Sequence, residues 1–213
     1  MAAILDDHKL FYASVPKVAC SSVKRMFYEI ENGVAFDTII ANGRKFHAHH
    51  FYPGILRNKY PQARIADYRR LCLVRDPIKR FLSAYSNRVV FHGELTPQAV
   101  KAAGRFKRLT PNPELDEFID RFEGYLAIPT IHSHCRPMSD YLGTQADYFS
   151  AVYNLSDMDR FVDDVSQVLD RPLTIGRFQT GGPKLDPSLL SAKQTEKLKR
   201  YYKSDYEAFG TYL

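Results

Sequence analysis

The sequence predicts an α/β fold: an open, mostly parallel sheet with flanking helices. Three observations carry this expectation. A short aromatic and β-branched run, Lys9 to Val15, leads through a loop into a helical pattern. A second apolar run, Leu71 to Val74, leads through a tight turn into a helix opened by Pro77. A third run, Phe149 to Leu155, precedes another amphipathic segment. Strands alternating with helices belong to open sheets whose ligands bind beyond the carboxyl ends of the strands. The loops after the first two strands fall there.

Each element follows from local chemistry. KLFYASV at 9–15 has strand composition. Pro16 to Ser22 reads as a loop, and Val23 to Glu31 as a helix with Ser21 or Ser22 as N-cap and Asn32-Gly33 as its stop. Leu71 to Val74 is short and apolar enough for a buried central strand. Pro77 is tolerated in a helix's first turn, Asp76 caps it, and the helix extends to about Phe91. Asn112-Pro113-Glu114 resembles a cap, a first-turn proline and a first-turn acid before LDEFIDRFEGYL. Ser156 is expected to cap DMDRFVDDVSQVL. Ser191 with Gln194 forms a capping-box pattern before a final helix ending near Phe209.

A chain of 213 residues suits a single domain over 1–213, with 45% hydrophobic and 25% charged residues typical of a folded globular protein. The formal charge of +6 points to anionic partners without choosing among them. No apolar run approaches the roughly 20 residues of a membrane span. Met1 to Leu10 lacks a signal-peptide core. Cys20, Cys72 and Cys135 are odd in number and widely spaced, so neither a disulfide framework nor a zinc pair is expected. A cytoplasmic location is the default reading, and a catalytic domain cut from a membrane-anchored parent has the same signature.

The loop Val15-Pro16-Lys17-Val18-Ala19-Cys20-Ser21-Ser22-Val23-Lys24 places small residues and hydroxyls before a helix N-terminus. Such a segment aims backbone N–H groups at an anion, and Lys17 adds a point charge. It lacks the glycines and the Lys-Ser/Thr pair of the nucleoside triphosphatase loop. The plain alternative is an ordinary capped helix with Lys17 in solvent. In the second segment, Val74-Arg75-Asp76-Pro77-Ile78-Lys79-Arg80-Phe81-Leu82-Ser83-Ala84-Tyr85, Arg75 stands at the strand end. Ser83 shares a helix face with Arg80 and Asn87. Arg75 and Ser83 are suited to meet one phosphate, a guanidinium fork plus a hydroxyl. The alternative is Arg75 paired to a carboxylate.

Taken together, the two segments resemble the 5′-phosphosulfate loop and the 3′-phosphate motif of sulfotransferases that use 3′-phosphoadenosine-5′-phosphosulfate (PAPS). The first is similar to the P-K-x-A-C-[ST]-x-x-K form of Golgi carbohydrate and related bacterial sulfotransferases. The second is similar to the family's V-R-D-P-x-x-R-x-x-S-A-Y. His134, Arg136 and Pro137 resemble a family H-x-R-P segment, and Tyr201 to Phe209 its C-terminal Y-x-x-D-[FY]-x-x-F pattern. The resemblance implies a nucleotide-binding-like sulfotransferase fold and an enzyme that moves a sulfuryl group from PAPS to a hydroxyl, of a carbohydrate or glycolipid. It implies no metal and no nucleic-acid partner. Peripheral membrane association would follow from a lipid acceptor.

The resemblance also implies roles. Lys17 stabilises the leaving phosphate. Amides of Ala19, Cys20, Ser21, Ser22 and Val23, with the two serine hydroxyls, hold the 5′-phosphate and sulfuryl oxygens. Arg75 and Ser83 bind the 3′-phosphate. Lys45-Phe46-His47-Ala48-His49-His50 is similar to the H-x-H stretch of the uronyl 2-O-sulfotransferase branch, whose second His is the base. That makes His49 the leading base and His47 the second. In an extended segment the two would point the same way, leaving metal capture or surface histidines as alternatives. His132 and His134 read either as acceptor-pocket residues or as satisfied structural ones. Gly176 to Lys184 reads as a loop with basic ends, Gly181-Gly182-Pro183 being a surface turn.

Two other functions fit the composition. A divergent phosphate-loop kinase predicts magnesium-dependent ATP turnover. A non-catalytic module for acidic ligands predicts salt-sensitive binding that survives loss of Lys17 and His49. Residues 57–88 carry a net +7, and the rest of the chain sums to −1. The basic character is therefore expected as a local field around the 3′-phosphate motif.

Overall fold

The computed structural model describes residues 2–104, 109–176, 178 and 181–213. Contacts group into two compact units: 1–75, 138–179 and 207–213, and 76–137 with 180–206. The first unit holds the sheet. Strands β1 (Ala3–Leu5), β2 (Leu10–Ala13), β5 (Arg69–Val74) and β6 (Ala151–Asn154) lie in the order β1-β2-β5-β6. β2, β5 and β6 run parallel, with Leu10 opposite Arg69 and Leu71 opposite Ala151. β1 is an antiparallel edge strand on β2. The α/β class and the mostly parallel sheet are as the sequence predicts.

Side-chain alternation explains what covers the sheet. Tyr12 of β2 stacks on Phe27 of α1 (Cys20–Asn32) at 5.5 Å and meets Phe161 of α9 (Met158–Leu169) at 5.5 Å. Its neighbour Phe11 points the other way, 4.9 Å from Tyr60. Tyr60 in turn donates its hydroxyl to the carbonyl of Tyr141 in α8 (Ser139–Leu142) at 2.5 Å. A hairpin, β3 (Ile39–Ala41) and β4 (Arg44–Phe46), and a single turn α2 (Ala48–Phe51) fill the crossover between α1 and β5.

The second unit is helical: α3 (Pro77–Ala84), a π-helical turn over Tyr85–Phe91, α4 (Pro97–Ala102), α5 (Leu115–Asp120), α6 (Phe122–Tyr125), α7 (Pro129–Cys135) and α10 (Ala192–Tyr201). α11 (Lys203–Phe209) crosses from this unit back to the first. Its core gathers Phe81, Phe118, Phe122 and Tyr125 around Leu198 and Tyr202. Arg80, fully buried, donates from Nη1 to the His134 carbonyl at 3.0 Å and from Nη2 to the Arg136 carbonyl. Tyr202 donates to the Cys135 carbonyl between them at 2.6 Å. Three successive carbonyls at the α7 terminus, which a helix leaves without internal partners, are satisfied this way. The H-x-R-P segment and Tyr202 are thus linked by a structural role. His134 is also structural, its Nδ1 2.7 Å from the Thr130 carbonyl.

Several boundaries differ from the sequence expectation. α1 begins at Cys20, with left-handed Ala19 rather than a serine at its cap. Ser156 does not cap α9: a 3-10 turn over Leu155–Asp157 intervenes, and the Asn154 side chain accepts from Ser156 N–H at 2.9 Å. The LDEFIDRFEGYL helix breaks at Arg121, and the last helix breaks at Tyr202. Pro77 with Asp76, which accepts from Lys79 N–H at 2.8 Å, and the Ser191–Gln194 box are as predicted. Gly182 is more than a surface turn. Its φ is +91°, and a Cβ there would lie 2.5 Å from the Ser86 carbonyl oxygen. Arg177, Gln179 and Thr180 of that loop lie outside the described residues.

Candidate active site

Parallel pairing of β2 with β5, Ala13 opposite Cys72, brings out both motif loops at one sheet edge. The Arg75 Nη1 donates to the Lys17 carbonyl at 3.2 Å, so segments 58 residues apart meet. Lys17 and Ala19 both have positive φ, 66° and 46°. Neither is glycine, and each such residue costs on the order of 1 kcal/mol. Left-handed Ala19 followed by helical Cys20 forms the αL–αR backbone of an anion-binding nest. The first helical bond runs from Val23 N–H to the Ala19 carbonyl at 3.1 Å. The Val23 amide is therefore engaged in the helix. Those of Cys20, Ser21 and Ser22 precede the ladder, at the positive end of a 13-residue helix.

Because neither serine caps the helix, both hydroxyls make tertiary contacts. Ser22 Oγ accepts from Phe178 N–H at 3.2 Å, and the Phe178 ring lies 4.2 Å from the Arg25 guanidinium. Ser21 Oγ is 2.8 Å from His49 Nε2. Beside this loop a cavity of about 340 Å³ opens, lined by Ala19, Ser22, Leu155, Met158, Ile175 and neighbouring atoms.

His49 reaches the loop because α2 is a helical turn, not an extended strand. His47 is its exposed N-cap and His50 bonds back to the His47 backbone, their rings 5.9 Å apart. Residues two apart on a helix do not share a face. His47 turns toward His50, while His49 reaches Ser21 and Lys24 of α1. α2 is fixed on α1 by buried Ala48, by Phe51 against Tyr28 at 5.4 Å, and by the Tyr52 hydroxyl donating to Glu31. Among the described residues no three metal-ligating side chains converge.

Lys24 is the residue that sequence reasoning left out of the site. It is 4% exposed, with Nζ 3.1 Å from His49 Nδ1. Burial lowers its pKa, and the nearby Cys20 opposes that shift. Its place one turn beyond Ser21 was legible; the arrival of His49 between them was not. Ser83 sits within α3, half-buried, in the helical unit.

The local field expected from residues 57–88 is largely dispersed. Arg64 pairs with Asp6, Arg69 approaches Asp164 at 3.8 Å, and Arg88 pairs with Glu94 at 2.5 Å. Arg70 donates to the carbonyls of Tyr148 and Ala66, and Arg80 to those at the end of α7. Asp6 and Asp164, distant in sequence, and Glu94, six residues from Arg88, offset three of the charges that a count along residues 57–88 adds up.

The site is thus an α/β sheet whose strand β2 leads through a loop with left-handed Ala19 into a helix N-terminus, with a histidine held against that helix. The chain belongs to the sulfotransferase family, whose model matches residues 1–212. Over 86 residues it is 30% identical to carbohydrate sulfotransferase 11 of Rattus norvegicus, covering 39% of this chain and 24% of that protein. Over 83 residues it is 32% identical to carbohydrate sulfotransferase 14 of Danio rerio, covering 39% and 22%. The chain thus spans about a quarter of the length of these curated relatives. No solved structure gives a significant match. Among the described residues, no helix is long and apolar enough to cross a membrane.

Proposed function

We propose that the chain transfers a sulfuryl group from PAPS to a hydroxyl of a carbohydrate acceptor. The observation that carries this reading is His49 seated at 2.8 Å from Ser21 at the first turn of α1, beside the anion nest. A base and a phosphate cradle in contact are what sulfuryl transfer requires: a proton to remove from the acceptor, and a departing negative charge to stabilise. The two carbohydrate sulfotransferases similar to this chain support a sugar acceptor.

In this reading the amides of Ala19, Cys20, Ser21 and Ser22 and the two serine hydroxyls bind the phosphosulfate. Lys17 stabilises charge on the leaving phosphate. Arg75 and Ser83 bind the 3′-phosphate, and His49 accepts the acceptor's proton.

The test is affinity for adenosine-3′,5′-bisphosphate against AMP. A charge-assisted contact is worth roughly 1.5–3 kcal/mol, so the bisphosphate is expected to bind about 10- to 100-fold more tightly. Arg75→Ala should erase that difference. Equal, weak binding of both nucleotides by the unaltered protein would overturn the donor assignment. His49→Ala should lower transfer by roughly 100-fold or more.

A further inference from the structure

His49 is held at both ring nitrogens. Lys24 Nζ lies 3.1 Å from Nδ1, and Ser21 Oγ lies 2.8 Å from Nε2. A neutral imidazole carries one proton, and the partner at one nitrogen decides which nitrogen holds it. With Lys24 charged, Nζ donates to Nδ1, so the ring proton sits on Nε2 and points to Ser21. With Lys24 neutral, Nζ gains a lone pair beside its two N–H donors, so Nδ1–H can donate to it and Nε2 can turn its own lone pair toward the loop. Only the second form has a base at Nε2.

We propose that Lys24 is the positioning residue of His49: it holds the ring through Nδ1, and its protonation state selects which nitrogen is basic at the Ser21 side. Burial of Lys24 supports the neutral form, because a low dielectric disfavours the ammonium. Among the groups that act on Lys24, Cys20 on α1 favours a proton there. The consequence for rate rests on the reading of His49 as the base. As the acceptor O–H breaks, Nε2 gains that proton, the Nδ1 proton passes to Nζ, and the acceptor oxygen bonds to sulfur while the S–O bond to the 5′-phosphate breaks, its electron pair leaving on the phosphate of adenosine-3′,5′-bisphosphate. The imidazole ends neutral and the positive charge ends on Lys24.

The experiment is 15N NMR of the histidine ring in the ligand-free protein over about pH 6 to 10, a window that brackets neutral histidine and a depressed lysine. In the unaltered chain, Nδ1 and Nε2 of His49 should exchange protonated and unprotonated character as Lys24 titrates. Lys24→Met should abolish the exchange. Lys24→Arg, whose guanidinium stays charged, should hold Nε2–H throughout. Absence of any exchange in the unaltered chain overturns the proposal, even if Lys24→Met does not fold. In transfer assays, Lys24→Arg should lower kcat on the order of 100-fold with the KM for PAPS unchanged. An unchanged kcat overturns the catalytic part. If the exchange is present yet His49→Ala keeps full transfer, the base reading falls and the Lys24–His49 coupling stands.

Discussion

Replacing Arg80 by methionine should destabilise the helical unit rather than weaken donor binding. Arg80 lies within the phosphate-motif segment, yet it is 0% exposed and its guanidinium serves the end of α7. Methionine fills most of the stem volume, so the cavity contribution is small. The main loss is two hydrogen bonds from a charged donor, roughly 1.5–3 kcal/mol each. An offset comes from the Nε, which is buried with no hydrogen-bond partner among the described residues, and from removing a buried cation; together these return about 1–2 kcal/mol. The net is a destabilisation of about 1–5 kcal/mol, a large share of a typical total of about 5–15. With a urea m-value of about 2 kcal/mol/M, the midpoint should fall by roughly 0.5–2.5 M. Urea titrations followed by circular dichroism measure it. A loss below about 1 kcal/mol, with adenosine-3′,5′-bisphosphate affinity reduced instead, would refute the structural role and return Arg80 to the ligand.

Gly182→Ala should cost about 2–4 kcal/mol, because its Cβ meets the Ser86 carbonyl at 2.5 Å and its φ is +91°. Gly181→Ala meets only the exposed Phe91 ring, which can turn aside, and should stay within about 1 kcal/mol. Thermal melts compare the two, and equal losses would contradict the contact. Hydrogen bonds from Arg64 and then Tyr68 hold the Asp6 carboxyl down at about 2 from 3.8. A depressed carboxylate contributes its stability above the ordinary carboxylate range and loses it as pH falls from about 4 to 2. Arg64→Ala should return the Asp6 midpoint toward 3.8 in a carboxyl NMR titration; no movement would exclude Arg64 as the cause.

Two signals confined to a few neighbouring residues hold in the structure, whereas the serine caps expected at α1 and α9 do not form. Asp76-Pro77 and Ser191–Gln194 state a helix start in their own side chains, and tertiary packing does not alter them. The parallel strands were legible because buried β5 is continuously apolar from Leu71 to Val74. Elements stabilised only by a partner were not legible. β1 is three residues long and exists through pairing with β2; α2 is one turn pinned by Tyr28, Glu31 and packing on α1. Reading 47–50 as extended followed from its lack of any helical period over so short a span.

The sequence by itself determined the family, the anion-type loop after the first strand and the candidacy of His49, since each rests on residue types at fixed spacings. Only the tertiary structure decided which groups meet. It turns His47 to His50 and His49 to Ser21, withdraws the Val23 amide into the helix, commits Arg80 to the end of α7 and pairs Arg64 with distant Asp6. It also sets Lys24 behind His49. Hydrogen bonds and ion pairs depend on distances of a few ångströms between chain segments, and those distances arise when burial of the sheet and helix faces sets the packing.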